Sequence, residues 1–281
     1  MITANDVAGL RAQVESWRRG GNVAFVPTMG NLHAGHLSLV KAARGMADRT
    51  VVSIFVNPLQ FGAGEDFDNY PRTLESDSGM LDAAGVDLLF APPLEVMYPK
   101  PQAEQTRVEV PGISGLLCGA CRPGHFVGVA TVVCKLFNMV QPDIALFGNK
   151  DFQQLMVIRR MVEDLAMPVR VVGIETLREP DGLAMSSRNG YLSNDERAIA
   201  PILYRVLSGL AQKLREGGED YAGLQAQAAR ELGDNGFRTE YVAIRRAADL
   251  LEPAAGEREL VILAAAFLGK ARLIDNIEIS R

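Results

Sequence analysis

Two of the chain's three histidines, His33 and His36, stand three residues apart in the run Phe25-Val26-Pro27-Thr28-Met29-Gly30-Asn31-Leu32-His33-Ala34-Gly35-His36. The apolar run Val23–Val26 stops at Pro27 and Gly30, as a buried parallel strand does. Beyond the turn, Leu37 and Val40 recur at helical spacing, which puts both imidazoles at a strand-to-helix turn. The N-terminus of a helix offers unpaired backbone N–H groups and the positive end of its dipole, a seat for phosphate. An imidazolium there adds positive charge where a phosphate oxygen gains negative charge in a transition state. Gly35 permits close backbone approach to a ligand. Two other readings stand beside this one. The histidines could cap or pack the helix, or they could be part of a metal site, although zinc needs further ligands and the flanking Gly, Ala, Leu and Asn supply no acid.

The elements that must position this turn alternate along the chain. An amphipathic helix is expected over Asn5–Arg18, from Val7, Leu10, Val14 and Trp17 on one face. Strands are expected at Thr50–Val56, Asp87–Phe90, Asp143–Phe147 and Val169–Ile174, and helices near Thr73–Ala84, Gly128–Val140 and Asp151–Leu165. Near-continuous apolar strands alternating with helices predict an α/β fold, a doubly wound, parallel, Rossmann-like sheet. Ligands of such sheets bind beyond the carboxyl ends of the strands. Met29–His36, Asn57–Phe61 and Gly148–Asp151 each follow a strand directly, so all three are expected to rim one crevice.

The last hundred residues differ in texture. One long helix is expected from Asn194 to about Leu214 and a second over Tyr221–Leu232, followed by strands at Glu240–Ile244, Glu259–Ala266 and Arg272–Ile279. Helices followed by consecutive strands predict a smaller α+β domain. The expected division is residues 1–175 and 176–281, with Asp181-Gly182-Leu183-Ala184-Met185-Ser186-Ser187-Arg188-Asn189-Gly190 at the hinge. Two hydroxyls and a guanidinium in a glycine-flanked loop are donors for phosphate oxygens.

Composition sets the limits. The chain has 281 residues, 48% hydrophobic and 22% charged, enough to bury a full core. A net charge of −5 argues against nucleic acid as the main partner. No apolar run reaches the about 20 residues that span a bilayer, and Asn5, Asp6 and Arg11 interrupt any signal-peptide core. The cytoplasm is the expected location. Three cysteines are too few for a disulfide framework, and Cys118-Gly119-Ala120-Cys121 lacks the second ligand pair of a zinc site, so these are expected to be loop thiols.

The histidine turn and the serine–arginine loop together resemble the HxGH and KMSKS pair of the class I adenylate-forming and nucleotidyl-transferring superfamily, with Arg188 in the place of the lysine. Together with Phe55-Val56-Asn57-Pro58-Leu59-Gln60-Phe61-Gly62, Asp68-Asn69-Tyr70-Pro71-Arg72-Thr73 and Leu146-Phe147-Gly148-Asn149-Lys150-Asp151-Phe152-Gln153-Gln154, they resemble the pantoate–β-alanine ligases over about Phe25–Leu192. The resemblance implies ATP-dependent condensation of (R)-pantoate with β-alanine through a pantoyl adenylate, with Mg²⁺, in a cytoplasmic homodimer. It implies ATP contacts at Met29, Gly30, Asn31, Leu32, His33, Ala34, Gly35 and His36, with His36 as proton donor and His33 supporting the phosphates. Lys150, Ser186, Ser187 and Arg188 are implied at the triphosphate, Gly148 and Asp151 near the ribose, Asn149 and Met185 among the ATP contacts, and the Leu177 backbone, on the strand leading to the hinge loop, at adenine. Gln60 and Gln154 match the pantoate-binding glutamines. Asn149 departs from the Glu or Gln more usual before Lys-Asp. The alternatives from other classes are a nucleotidylyltransferase acting on a phosphorylated acceptor and a non-catalytic nucleotide sensor.

Overall fold

The computed structural model describes residues 1–62 and 64–281. The chain divides into two compact units. The first comprises Met1–Gly115, Arg122–Asn149 and Gln154–Glu175; the second comprises Leu116–Cys121, Lys150–Gln153 and Thr176–Arg281. Two short segments thus leave the first unit, where a single cut at residue 175 had put them, and side-chain bonds explain why. Gln153 Nε2 donates to the Leu116 carbonyl at 2.8 Å and its Oε1 accepts the Cys118 N–H at 3.1 Å. Cys118 Sγ lies 2.9 Å from the Tyr241 hydroxyl, and Asn276 Nδ2 donates to the Lys150 carbonyl at 2.9 Å.

The first unit is a parallel sheet of β1 (Ile2–Ala4), β2 (Val23–Thr28), β3 (Arg49–Ile54), β4 (Leu88–Phe90), β5 (Ile144–Gly148) and β6 (Arg170–Ile174), in the order β1-β4-β3-β2-β5-β6. From β2 the chain steps outward to β3 and β4, then returns on the other side to β5 and β6. The order therefore reverses between β2 and β5, and a doubly wound sheet opens a crevice at such a switch point. Helices α1 (Val7–Arg18), α2 (Ala34–Met46), α3 (Leu74–Ala83), the short α4 (Leu94–Met97) and α5 (Cys118–Cys121), then α6 (His125–Val140) and α7 (Phe152–Asp164) follow in chain order. Both faces of β2 are buried, as its continuous apolar run requires. Ala24 and Val26 join Leu39, Val40 and Ala43 of α2 in one cluster, and on the opposite face Phe25 meets Phe137 of α6 edge-on at 6.4 Å.

Strand β1 has no counterpart in the sequence reading. Three residues are too short for periodicity to register, yet Ile2, Thr3 and Ala4 pair with Leu88, Leu89 and Phe90.

The second unit carries α8 (Asn194–Ile199), α9 (Ile202–Arg215) and α10 (Tyr221–Asp234), then the antiparallel sheet β7 (Arg238–Arg246), β8 (Glu259–Leu268) and β9 (Ala271–Ser280). The single helix expected over Asn194–Leu214 is two. Pro201 has no N–H to continue the ladder and its ring clashes with the preceding turn, so the chain bends there. Leu203, Val206, Leu207, Leu210 and Leu214 of α9 pack in one core with Ile244, Leu260 and Ile262 of the sheet. The two cysteines expected in a loop form the one-turn α5, with Cys118 buried and Cys121 exposed. Among the described residues, no helix is long and apolar enough to cross a membrane.

Candidate active site

After β2 the chain turns through two consecutive left-handed residues, Gly30 at φ 83° and Asn31 at φ 50°. A Cβ at position 30 would lie 2.9 Å from Asp77 Oδ2, so glycine is required there for space as well as for conformation. Asp77, 1% exposed on α3, holds the turn: Oδ2 accepts the Asn31 N–H at 2.8 Å and the Thr73 hydroxyl at 3.1 Å, and Oδ1 accepts the Leu32 N–H at 2.9 Å. An acid does therefore reach the turn, brought by the fold from 46 positions away. With three donors already on it, its charge is directed at the main chain behind the turn.

The histidines do cap α2. Gly35 N–H donates to His33 Nδ1 at 3.1 Å and His33 N–H to His36 Nδ1 at 3.3 Å, a capping box built from two imidazoles. The N–H groups of His36 and Leu37 donate to the His33 carbonyl. The helix start is thus largely satisfied from within, which revises the expectation of unpaired backbone donors for phosphate. In this arrangement each Nδ1 faces a main-chain N–H. The rings lie 4.1 Å apart at 45°. Both imidazoles thus stand at the positive end of the α2 dipole. Leu32, one of the expected ATP contacts, is 8% exposed and its side chain belongs to the core cluster beneath the turn. Ala34 is exposed, and Met29, Gly35 and both histidines are half-buried.

The loop after β3 brings Gln60 to this turn. Its Nε2 donates to Met29 Sδ at 3.1 Å, and its Oε1 accepts Asn57 Nδ2 at 3.0 Å. Asn57, 1% exposed, is the hub: it also donates to the Gly128 carbonyl at 3.1 Å, and its Oδ1 accepts the Tyr98 hydroxyl at 2.8 Å and the Leu59 N–H at 3.3 Å. Burial pushes the Tyr98 phenol up, which keeps it a donor. Helix α6 presses against this loop so closely that a Cβ on Gly128 would sit 2.1 Å from the Leu59 carbonyl oxygen. The Gln60 carbonyl accepts His125 Nδ1–H at 2.8 Å and Arg122 Nη2–H at 3.3 Å. Arg122 also pairs with Glu65; burial works against that carboxyl's charge, but the guanidinium holds it below its usual range. Arg122 and His125 are thus braces for Gln60. Asn57 was signalled only by the Asn57-Pro58 strand end, and its role as a hub has no local signature.

Gly148 closes β5 opposite Ile174, and Asn149–Asp151 form a 3₁₀ turn. The Asn149 side chain lies over β6, where a Cβ on Gly173 would meet its Oδ1 at 2.2 Å. Asp151 is half-buried. Of the adjacent glutamines, Gln153 is buried by its bonds to Leu116 and Cys118, while Gln154 is half-buried on the first turn of α7. Gln60 and Gln154 therefore follow β3 and β5, the two neighbours of β2.

In the second unit, Lys150, Ser186 and Asn189 line one shallow pocket with Tyr204 and Asp275. Ser186 Oγ accepts the Arg188 N–H at 3.2 Å and begins a 3₁₀ turn over Ser187–Tyr191. Leu177 is not on a strand of the sheet: β6 ends at Ile174, and the Leu177 carbonyl accepts the Met185 N–H at 3.0 Å beside an isolated Arg178–Ala184 bridge. The Leu177 side chain is 39% exposed. Gly182 makes the bend between them at φ 94°, where any Cβ would press on the Tyr204 ring.

Comparison with known proteins gives a consistent result. Residues 2–278 match the model of the pantoate-beta-alanine ligase family. The chain is 57% identical over 282 residues to the pantothenate synthetase of Shewanella oneidensis, covering all of both chains. The crystal structure of pantothenate synthetase from Thermus thermophilus superposes with a TM-score of 0.92 at 49% identity, again over both whole chains. The pantoate-beta-alanine ligase of Francisella tularensis, solved with β-γ ATP and β-alanine, matches at a TM-score of 0.84 and 33% identity, covering 99% of this chain and 97% of that one. A parallel six-stranded unit with its histidine turn at the switch point, a serine–arginine loop on a small antiparallel unit, and relatives alike from end to end lead to one conclusion: the chain belongs to the pantoate–β-alanine ligase family.

Proposed function

We propose that this enzyme condenses (R)-pantoate with β-alanine at the expense of ATP, giving pantothenate, AMP and pyrophosphate. A carboxylate resists attack by an amine until its oxygen becomes a good leaving group. In the first step a pantoate carboxylate oxygen bonds to the α-phosphorus of ATP while the bond from that phosphorus to the bridging oxygen breaks, releasing pyrophosphate. In the second, the β-alanine amine attacks the acyl carbon of pantoyl adenylate, the acyl–oxygen bond breaks to release AMP, and the amine loses a proton. The enzyme's task is to stabilise charge on the phosphates and to hold the reactants together.

The observation that carries this reading is the pair of cap-locked histidines beside Gln60. His36 is assigned as proton donor to the reacting phosphate and His33 as its support. Lys150, Met185, Ser186, Ser187 and Arg188 are assigned to the triphosphate, Gly148, Asn149 and Asp151 to the ribose side, and Gln60 and Gln154 to pantoate, whose hydroxyls and carboxylate suit an amide with both donors and an acceptor. The Leu177 backbone is assigned to adenine. Among the described residues no three His, Cys, Asp or Glu side chains gather to hold a metal. Mg²⁺ is assigned as part of the MgATP substrate, an ion that keeps much of its coordination in phosphate and water. A homodimer in the cytoplasm completes the proposal, and sedimentation velocity checks the dimer.

The test is pyrophosphate release from MgATP with (R)-pantoate, with and without β-alanine. Release that requires pantoate, then AMP and pantothenate once β-alanine is added, is the expected result. Release only with a phosphorylated acceptor would make the chain a nucleotidylyltransferase, and binding without release would make it a sensor.

A further inference from the structure

The two segments of the second unit assigned to ATP both lead back to adjacent residues of β9. Asp275 and Asn276 are 3% and 8% exposed and pair with Ala264 and Leu263 of β8. Buried polar side chains cost stability unless they are bonded. The Asp275 carboxylate takes Arg178 at two points, Oδ2 to Nη1 at 2.6 Å and Oδ1 to Nη2 at 2.9 Å, and Oδ1 also accepts the Asn276 N–H at 2.8 Å. Arg178 passes the constraint on. Nη1 donates to the Gly182 carbonyl at 3.1 Å, and the guanidinium lies 3.6 Å above the Tyr204 ring. The turn it pins runs directly into Met185–Arg188. Asn276 faces the other segment, donating Nδ2–H to the Lys150 carbonyl at 2.9 Å.

We propose that Asp275 and Asn276 are positioning residues of the ligase reaction, fixing Lys150 and the loop to Arg188 on one strand so that adenylation, and not amide formation, depends on them. The assignment rests on the ligase reading above. Neither residue needs to touch a substrate: one hydrogen bond sets the main chain at Lys150, and one ion pair sets the bend before the serines.

The test uses the full chain, with Asn276→Ala and Asn276→Asp, which keeps the size of the side chain and loses the donor. Two half-reactions are measured: pantoate-dependent pyrophosphate release from MgATP, and conversion of supplied pantoyl adenylate with β-alanine to pantothenate and AMP. Both variants are expected to lose about tenfold in kcat/KM for ATP, the weight of one hydrogen bond, while the second half-reaction stays within about twofold. Equal losses in both half-reactions, or no loss in the first, would overturn the assignment; if the alanine variant fails to fold, the aspartate variant decides. A wild-type chain that releases no pyrophosphate with pantoate overturns the ligase reading and this assignment with it, an outcome separate from any behaviour of the variants.

Discussion

Two buried aspartates, one in each unit, hold the two segments assigned to ATP by different chemistry. Asp77 accepts main-chain N–H groups of the histidine turn itself, whereas Asp275 takes a guanidinium that in turn holds a carbonyl of the serine loop's bend. In the first unit the side chains assigned to chemistry are also structural, because His33 and His36 are the caps of α2. In the second, the two tasks fall to different residues: Arg178 and Asp275 build the bend of the loop, and Arg188 is the residue assigned to the ligand's charge. Where function and capping share an imidazole, a substitution disturbs both. Where they are divided, activity can be removed with the fold intact.

That contrast can be broken in order of effect. Asp77→Ala leaves two backbone N–H groups and a hydroxyl without their acceptor inside the first unit; a loss of about 3 kcal/mol or more is expected, and adenylation should become unmeasurable at any ATP concentration. Chemical denaturation together with pyrophosphate release would check it, and a variant of normal stability and turnover would remove Asp77 from its place behind the turn. Asp275→Ala strands a guanidinium that is mostly buried and should cost about 3 kcal/mol as well, yet leave measurable adenylation, because the histidine turn is untouched. If it proves as inactive as Asp77→Ala, the contrast between the units fails.

His36→Ala is the sharper probe of shared function. It removes the donor and half of the capping box, so turnover should drop by about a hundredfold or more while stability falls by only about 1 kcal/mol. Loss of stability with full turnover would reduce His36 to a cap. Arg188→Ala is the counterpart in the other unit: kcat/KM for ATP should fall by about tenfold or more through the missing charge-assisted bond. The smallest effect is expected at Cys121. Burial, then the charge of Glu240, pushes its thiol up, so its neutral form persists to higher pH than in an ordinary cysteine. Iodoacetamide labelling should therefore rise with a midpoint on the alkaline side of a free thiol, and Cys121→Ser should leave turnover unchanged.

Much of this was legible in the chain. The histidine spacing, the apolar strands on either side of it, the glutamine after the Asn57-Pro58 break and the serine–arginine loop are all local patterns, and local patterns survive without knowledge of the fold. Pro201 was equally local and overlooked, since helical periodicity on both sides of it masked the break. The choice of Gln154 over Gln153 depended on resemblance; the structure supplies its physical side by burying Gln153 against Leu116 and Cys118.

By itself, then, the sequence determined the order of elements, the parallel sheet and the residue types at each turn, because side-chain periodicity and turn chemistry act over a few positions. Only the tertiary structure decided that the two histidines cap one helix through Nδ1, that an aspartate 46 residues away closes on the turn, and that another 97 residues from Arg178 sets the second loop. A hydrogen bond forms across any sequence distance once two groups meet at about 3 Å, and nothing in the local pattern of either partner records where the other will be.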